Sequence, residues 1–199
     1  MTQKILGNLP TGLVFILSAP AGTGKTTLIR MLTQEFDCIE ESVSCTTRTP
    51  RLGEIEGKDY FFLSPDDFKK KITEDDFLEY AEVFGNLYGT SKKQIEEKTK
   101  SGKHVFLVID TQGALSLQKM GFKAVYIFVA PPNVEALKER LHKRQTEDEG
   151  KRLERLSWAE KEMKLSVLYD FQIINCNLDV AYTVLKSIVI AEEHRVEKS

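Results

Sequence analysis

The stretch Ser18-Ala19-Pro20-Ala21-Gly22-Thr23-Gly24-Lys25-Thr26 leaves few folds open to this chain. It follows the apolar run Leu13–Leu17 and leads into Thr26–Phe36, whose apolar residues recur at helical spacing. It ends as a phosphate-binding loop of the pattern G-x-x-x-x-G-K-[ST], with Ala19 standing where the first glycine is expected. The residue types have a physical reason. Successive backbone N–H groups can curl around phosphate oxygens, and Gly22 and Gly24 permit that approach. The N-terminus of the following helix adds positive potential. Lys25 can reach terminal phosphates, and the Thr26 hydroxyl can ligate a magnesium ion. Alanine does not take positive φ cheaply, so Ala19 must enter the loop with ordinary dihedrals, an entry that Pro20 helps to set.

A strand, this loop and a helix imply an α/β domain. Three further short apolar runs, Val105–Ile109, Val125–Val129 and Phe171–Ile174, read as strands buried on both faces of a parallel sheet. Helical spacing follows at Val134–Arg144 and Val180–Glu193, with Asn133 and Asp179 as candidate N-caps and Pro131-Pro132 blocking helix before Asn133. The expected architecture is a three-layer core built on a parallel sheet with right-handed crossovers. At 199 residues the chain is one domain with room for inserted lobes. Residues 46–90, rich in glycine, charge and aromatics, read as a small mixed α+β lobe. Residues 142–158 are densely charged and read as a helical segment. The core is then 1–45, 91–141 and 159–199.

Composition removes other classes. With 28 Lys and Arg against 30 Asp and Glu, the net charge of −2 does not suit a coat for polymeric nucleic acid, though it allows a compact basic pocket. Cys38, Cys45 and Cys176 have no C-x-x-C spacing, which argues against a zinc site or disulfide framework and for a reducing, cytoplasmic setting. No apolar run approaches the ~18–20 residues that span a bilayer. Lys4, Leu13–Leu17 and Ala19-Pro20-Ala21 imitate a signal peptide, but its apolar core needs about 7–15 residues and cleavage there would sever the phosphate loop. His104, His142 and His194 lack metal-ligand spacing.

A phosphate loop alone admits many chemistries. Ser44, Arg48 and Arg51 follow an expected second strand, and Tyr60 and Tyr88 flank the lobe. Two guanidinium groups and two phenols make a cradle for a phosphate dianion. At this level the alternatives are a kinase for some small acceptor and a non-catalytic interaction module, and the intact Lys25-Thr26 favours catalysis.

Longer blocks narrow the choice. Ser42-Val43-Ser44-Cys45-Thr46-Thr47-Arg48-Thr49-Pro50-Arg51-Leu52-Gly53-Glu54, Gly57-Lys58-Asp59-Tyr60, Phe84-Gly85-Asn86-Leu87-Tyr88-Gly89-Thr90, Ile109-Asp110-Thr111-Gln112-Gly113-Ala114 and Ala130-Pro131-Pro132 occur in this order. Together they resemble the guanylate kinases over nearly the whole chain. The resemblance implies a P-loop kinase core, an acceptor lobe at 46–90 and a lid at 142–158. It also implies Mg²⁺-dependent phosphoryl transfer from ATP to GMP or dGMP by a monomer or homodimer, with no membrane partner. It assigns Ala19, Pro20, Ala21, Gly22, Thr23, Gly24, Lys25, Thr26 and Thr27 to the ATP phosphates, with Thr26 toward the metal. Ser44, Arg48, Arg51, Tyr60 and Tyr88 would hold the GMP phosphate, Glu79 and Thr90 would read guanine, and Gly89 and Asp110 would border the acceptor. Lys25 and the lid residues Arg144 and Arg155 would be catalytic, and Asn175 would lie near adenine. Ala19, Ala21, Val108 and Cys176-Asn177 depart from the family's usual residues.

Overall fold

The computed structural model describes residues 4–142 and 149–196, and of 140–142 and 149–155 the backbone only. The chain opens with β1 (Val14–Ser18), α1 (Lys25–Glu35), β2 (Ile39–Glu41) and β3 (Cys45–Thr46). It continues through β4 (Phe61–Phe62), α2 (Pro65–Thr73), β5 (Phe77–Val83), β6 (Asn86–Ser91) and α3 (Lys92–Lys100). The second half runs β7 (His104–Val108), α4 (Thr111–Lys119), β8 (Val125–Ala130), α5 (Val134–His142), α6 (Glu149–Lys164), β9 (Phe171–Ile174) and α7 (Leu178–Glu193).

The larger sheet has the order β2-β7-β1-β8-β9 and is parallel throughout. Its strands send alternate side chains to opposite faces, as the period of two requires. Phe15, Leu17, Phe106, Ile127 and Val129 pack with Leu28, Ile29 and Leu32 of α1 and Leu185 and Val189 of α7. Ile16, Val105 and Leu107 pack on the other face with Ile95 of α3 and Ala114 and Leu117 of α4. Continuous apolar runs are therefore buried twice over, and the expected three layers are present. Strand order reverses around β1, so the crevice at its C-terminal end is the place where such sheets bind ligands.

Ser42–Ser44 carry the chain from β2 into a smaller sheet of order β4-β3-β6-β5, which mixes parallel and antiparallel pairs. Cys45, Phe68 and Phe77 form its own buried centre. The loop before α7 differs from expectation at one cap. Asn177, not Asp179, is the N-cap, accepting from the N–H groups of Asp179 and Val180. Asp179 instead sits in the first turn, where its charge favours the helix dipole. Asn133 does cap α5, through a 2.7 Å bond from Ala136 N–H. No helix among the described residues is long and apolar enough to cross a membrane.

His104 begins β7 as the sequence suggests, and it is wholly buried. Leu13 N–H donates to its Nδ1 at 3.0 Å, which leaves Nε2 to donate to Glu193 at 2.6 Å. Glu193 also accepts from Gly7 N–H, Asn8 N–H and the Asn8 amide. An acidic residue ending a helix opposes the dipole, and these four donors outweigh that. Burial works to raise the Glu193 pKa, but the bonds from Gly7, His104 and Asn8 bring it down to about 2. The carboxylate therefore stabilises the fold above the unfolded value near 4.5, and that contribution is lost as pH falls through about 2. Glu193→Ala should cost about 3 kcal/mol at pH 7 in urea unfolding. A loss below about 1 kcal/mol, the range of an exposed pair, would show that the cluster does not tie the N-terminal strap to α7.

Candidate active site

The phosphate loop sits at the C-terminal end of β1, in the crevice where the sheet order reverses. Gly22 and Gly24 have φ of 84° and 96°, while Ala19 has no positive φ. The first glycine of the motif is thus dispensable here. Ala19 enters with ordinary dihedrals, and its methyl is buried in the core beneath the loop. Gly24 caps α1 in the left-handed conformation, and a Cβ there would also stand 2.9 Å from the Asn175 amide nitrogen. Within the loop the Thr23 hydroxyl donates to Pro20 O at 2.8 Å, and Lys25 Nζ donates to Ala19 O. Asn175, 5% exposed, donates to Thr23 O at 2.7 Å and so braces the loop from β9's end.

A cavity of about 290 Å³ opens between the loop and the smaller sheet. Ala19, Ala21, Lys25 and Thr26 border it on one side, and Ser44, Tyr60, Glu79, Tyr88 and Gly89 on the other. Asp110, at the end of β7, lies between the two groups. Residues 60 positions apart in sequence thus face one space. Thr27, Pro20, Gly22, Thr23 and Gly24 belong to the loop without bordering the cavity.

The acceptor side is built around two tyrosines. Their rings meet edge to face at 5.9 Å. Arg48 stands over the Tyr60 ring at 5.3 Å, and its Nε donates to the Tyr88 hydroxyl at 3.3 Å. Its guanidinium also pairs with Glu54 at 2.8 Å, with the Arg48 side chain only 12% exposed. Arg51 is exposed, and its backbone N–H donates to the other Glu54 oxygen at 2.8 Å. Glu54 therefore ties the Arg48 side chain to the backbone at Arg51, a role that the sequence did not suggest.

Glu79 is 6% exposed and Thr90 is fully buried, so neither is a solvent-facing residue of its strand. The Thr90 hydroxyl donates to Glu79 Oε1 at 2.6 Å. Burial pushes the Glu79 carboxyl up to about 7, against the Thr90 bond, and the nearby Asp110 adds to the rise. Helix α4 comes so close to this carboxylate at Gly113 that a Cβ there would lie 2.6 Å from Glu79 Oε2 and force the carboxylate to move.

Asp110 caps α4, accepting from Gly113 N–H at 2.8 Å. Its carboxyl is raised by burial, against that bond and the Lys25 charge. Sequence reasoning missed its neighbour Glu162. That residue reaches the cavity from α6, 6% exposed, and accepts from the Thr111 hydroxyl at 3.3 Å. Burial raises it as well, and Lys25 opposes the rise. Lys25 thus faces two buried carboxyls from different elements. Val108 lines the cavity as well. Trp158 was missed too. Its α6 position showed no periodicity strong enough to mark a face. Arg144 lies outside the described residues, and Arg155 falls on α6 with its side chain outside the description.

The chain is similar to known proteins along most of its length. The guanylate kinase family model covers residues 12–192. A guanylate kinase of Protochlamydia amoebophila is 52% identical over 187 residues, 94% of each chain. One from Chlamydia trachomatis serovar D is 48% identical over 92% of this chain and 89% of its own. The solved guanylate kinase of Anaplasma phagocytophilum superposes with a TM-score of 0.77 at 32% identity, covering 97% of this chain and 91% of its own. With the family model covering nearly the whole chain and relatives of this identity along its length, the chain belongs to the guanylate kinase family.

Proposed function

We propose that this cleft transfers the γ-phosphoryl group of ATP to GMP or dGMP, giving ADP and GDP or dGDP, with the residues in the following roles. The phosphate loop, Ala19 to Thr27, takes the ATP phosphates on its N–H groups, with Lys25 at the transferring end and Asn175 beside the base. Ser44, Arg48, Arg51, Tyr60 and Tyr88 take the GMP phosphate. Glu79 and Thr90 read guanine, with Gly89 and Asp110 bordering the acceptor. Arg144 and Arg155 bring positive charge as the lid closes, which also keeps water from the γ-phosphate.

The observation that carries the reading is the position of the Glu79–Thr90 pair. Glu79 borders the same cavity as Lys25, buried and already accepting from Thr90, which is itself fully buried and does not border the cavity. A carboxylate accepts from the ring N–H and exocyclic amine of guanine, and a hydroxyl can turn to donate to the 6-oxo group. The chemistry itself needs little beyond in-line placement and charge neutralisation, because phosphoryl transfer requires no covalent group from the protein.

The donor set suits magnesium. The Thr26 hydroxyl borders the cavity beside Lys25. Among the described residues no cluster of three or more His, Cys, Asp or Glu could hold a metal by itself. That combination fits an ion brought in on ATP and held mostly by phosphates and water. When bound, it neutralises charge on the transferred group.

The acceptor cradle is tested by Arg48→Ala. Arg48 is enclosed by Tyr60, Tyr88 and Glu54. Removing its charge-assisted contact should cost roughly 1.5–3 kcal/mol, about 10- to 150-fold in KM for GMP. KM for ATP should change little. Arg51→Ala should act in the same direction and less, since that side chain is exposed. A rise in KM that is equal for ATP and GMP would move these arginines off the acceptor side.

A further inference from the structure

Phe84 occupies a turn position that tolerates a bulky side chain poorly. Val83 pairs with Asn86, so Phe84 and Gly85 are the two central residues of the β5–β6 hairpin turn. Both have positive φ, 50° and 73°. Such turns favour Asn-Gly, Asp-Gly or Gly-Gly, because both positions are left-handed. A phenylalanine there is an outlier, and such conformations persist where the surroundings hold them and cluster at functional sites. Burial in the lobe does not explain it, since the residue is 46% exposed.

What the ring meets is on another part of the molecule. Trp158 of α6 packs against it with ring centroids 6.1 Å apart and planes inclined by 53°. Both residues border the cleft. On β5, the alternate residues Glu79, Ala81 and Val83 also border it, and on α6 so does Glu162, one turn beyond Trp158. The ring pair therefore connects the strand that carries the base-reading carboxylate to the helix that carries Glu162 and, one turn earlier, Arg155. Glu162 in turn touches Thr111 at the start of α4, next to Asp110.

We propose that Phe84 and Trp158 are positioning residues that form an aromatic clasp across the cleft. The clasp ties the acceptor lobe to α6, so that a bound acceptor is held in line with the phosphate loop. This rests on the reading of the cavity as the acceptor site. The contact works through alignment and not through touching the reacting atoms, so its loss weakens turnover more than it weakens ATP binding.

The test uses Phe84→Asn, which supplies the Asn-Gly pair that this turn prefers. A ring kept only for stability would lower the melting temperature when removed. Here Tm is expected to hold or rise, while kcat for GMP falls roughly 3- to 10-fold, the size of one aromatic contact. The Kd of ATP should be unchanged, and Phe84→Tyr should restore kcat. Trp158 is the chain's single tryptophan, so its emission reports the contact directly. The maximum should shift to the red in Phe84→Asn, as the indole loses its cover. Trp158→Ala should match Phe84→Asn in kcat, and the double variant should be no worse than either single one. Wild-type kcat in Phe84→Asn, or unaltered emission, would overturn the clasp. Failure of the wild-type protein to bind GMP in calorimetry would instead overturn the acceptor-site reading beneath it.

Discussion

Lys25→Ala is expected to lower kcat/KM by about 10²- to 10⁴-fold, the usual cost of removing a preorganised charge from a transferring group. The fold should survive with little loss of stability. Lys25 opens α1 and points into the cavity, so it contributes nothing to the core, and alanine is a good helix former at that position. Urea unfolding of the variant should stay cooperative, with a loss of only about 1 kcal/mol from the bond to Ala19 and from the two carboxyls whose ionisation Lys25 supports. A second signature follows from the two carboxyls that Lys25 faces. Its charge opposes the burial that raises both Asp110 and Glu162. Without it, both should move further up, and residual activity should show its acid limb at higher pH than the wild type. Near-normal turnover in steady-state assays would remove Lys25 from the phosphate site. Lost activity together with a stability loss above about 3 kcal/mol would mean that the variant had damaged the loop and not the chemistry.

Glu79→Gln should have the next largest effect, and it should act in opposite directions on activity and stability. Guanine offers two neighbouring donors, and only an ionised carboxylate accepts from both. The amide faces one of them with its own N–H groups. An unpaired donor in a closed pocket is costly, and sites built this way discriminate by up to ~10⁴. GMP turnover should therefore fall about 10²-fold or more, while the poor activity with AMP falls less or rises. The pH profile carries the same information. The Glu79 carboxyl titrates near 7 in the empty site, so kcat/KM for GMP should rise through that region as the group ionises. The variant should lack this limb. Stability runs the other way. The folded pKa lies above the unfolded one, so the fold disfavours the ionised form. That penalty is absent below the unfolded value of about 4.5 and is complete above about 7. At pH 8 the glutamine variant should be more stable by about 1–3 kcal/mol, with Thr90 still able to donate to its amide oxygen. An unchanged GMP-to-AMP preference would assign base reading to other residues.

What the sequence disclosed depended on how local the constraint was. The phosphate loop was legible because its backbone needs Gly22 and Gly24 at set positions after a strand. Buried parallel strands were legible as apolar runs, since both of their faces are covered. Helices α2, α3 and α4 were not anticipated. Helix α3 buries a single side chain, Ile95, and α4 carries Gly113 in its first turn, a poor helix former whose place is explained only by the Glu79 carboxylate beside it. Strand β6 was likewise hidden, because Asn86–Ser91 alternates weakly and on one side it pairs with Cys45 and Thr46 of β3, far away in sequence. The acceptor residues were carried by a resemblance, not by any spacing. Glu54 was missed although its partners Arg48 and Arg51 are only six and three residues away, because no regular period links them, and Trp158 and Glu162 act through contacts that exist only once α6 meets the cleft. No periodicity along one segment encodes such a meeting.

The most direct measurement is a coupled assay of the wild-type chain with ATP, Mg²⁺ and each of GMP, AMP, UMP and CMP as acceptor, beside a control with no acceptor. Rapid ADP formation is expected with GMP alone among the four. The control should be nearly silent, because the γ-phosphate is to be shielded until the acceptor is bound. Comparable rates with AMP or a pyrimidine nucleotide would contradict guanine reading by Glu79 and Thr90. ADP formation that ignores the acceptor would make the cleft a hydrolase site and contradict phosphoryl transfer to GMP itself.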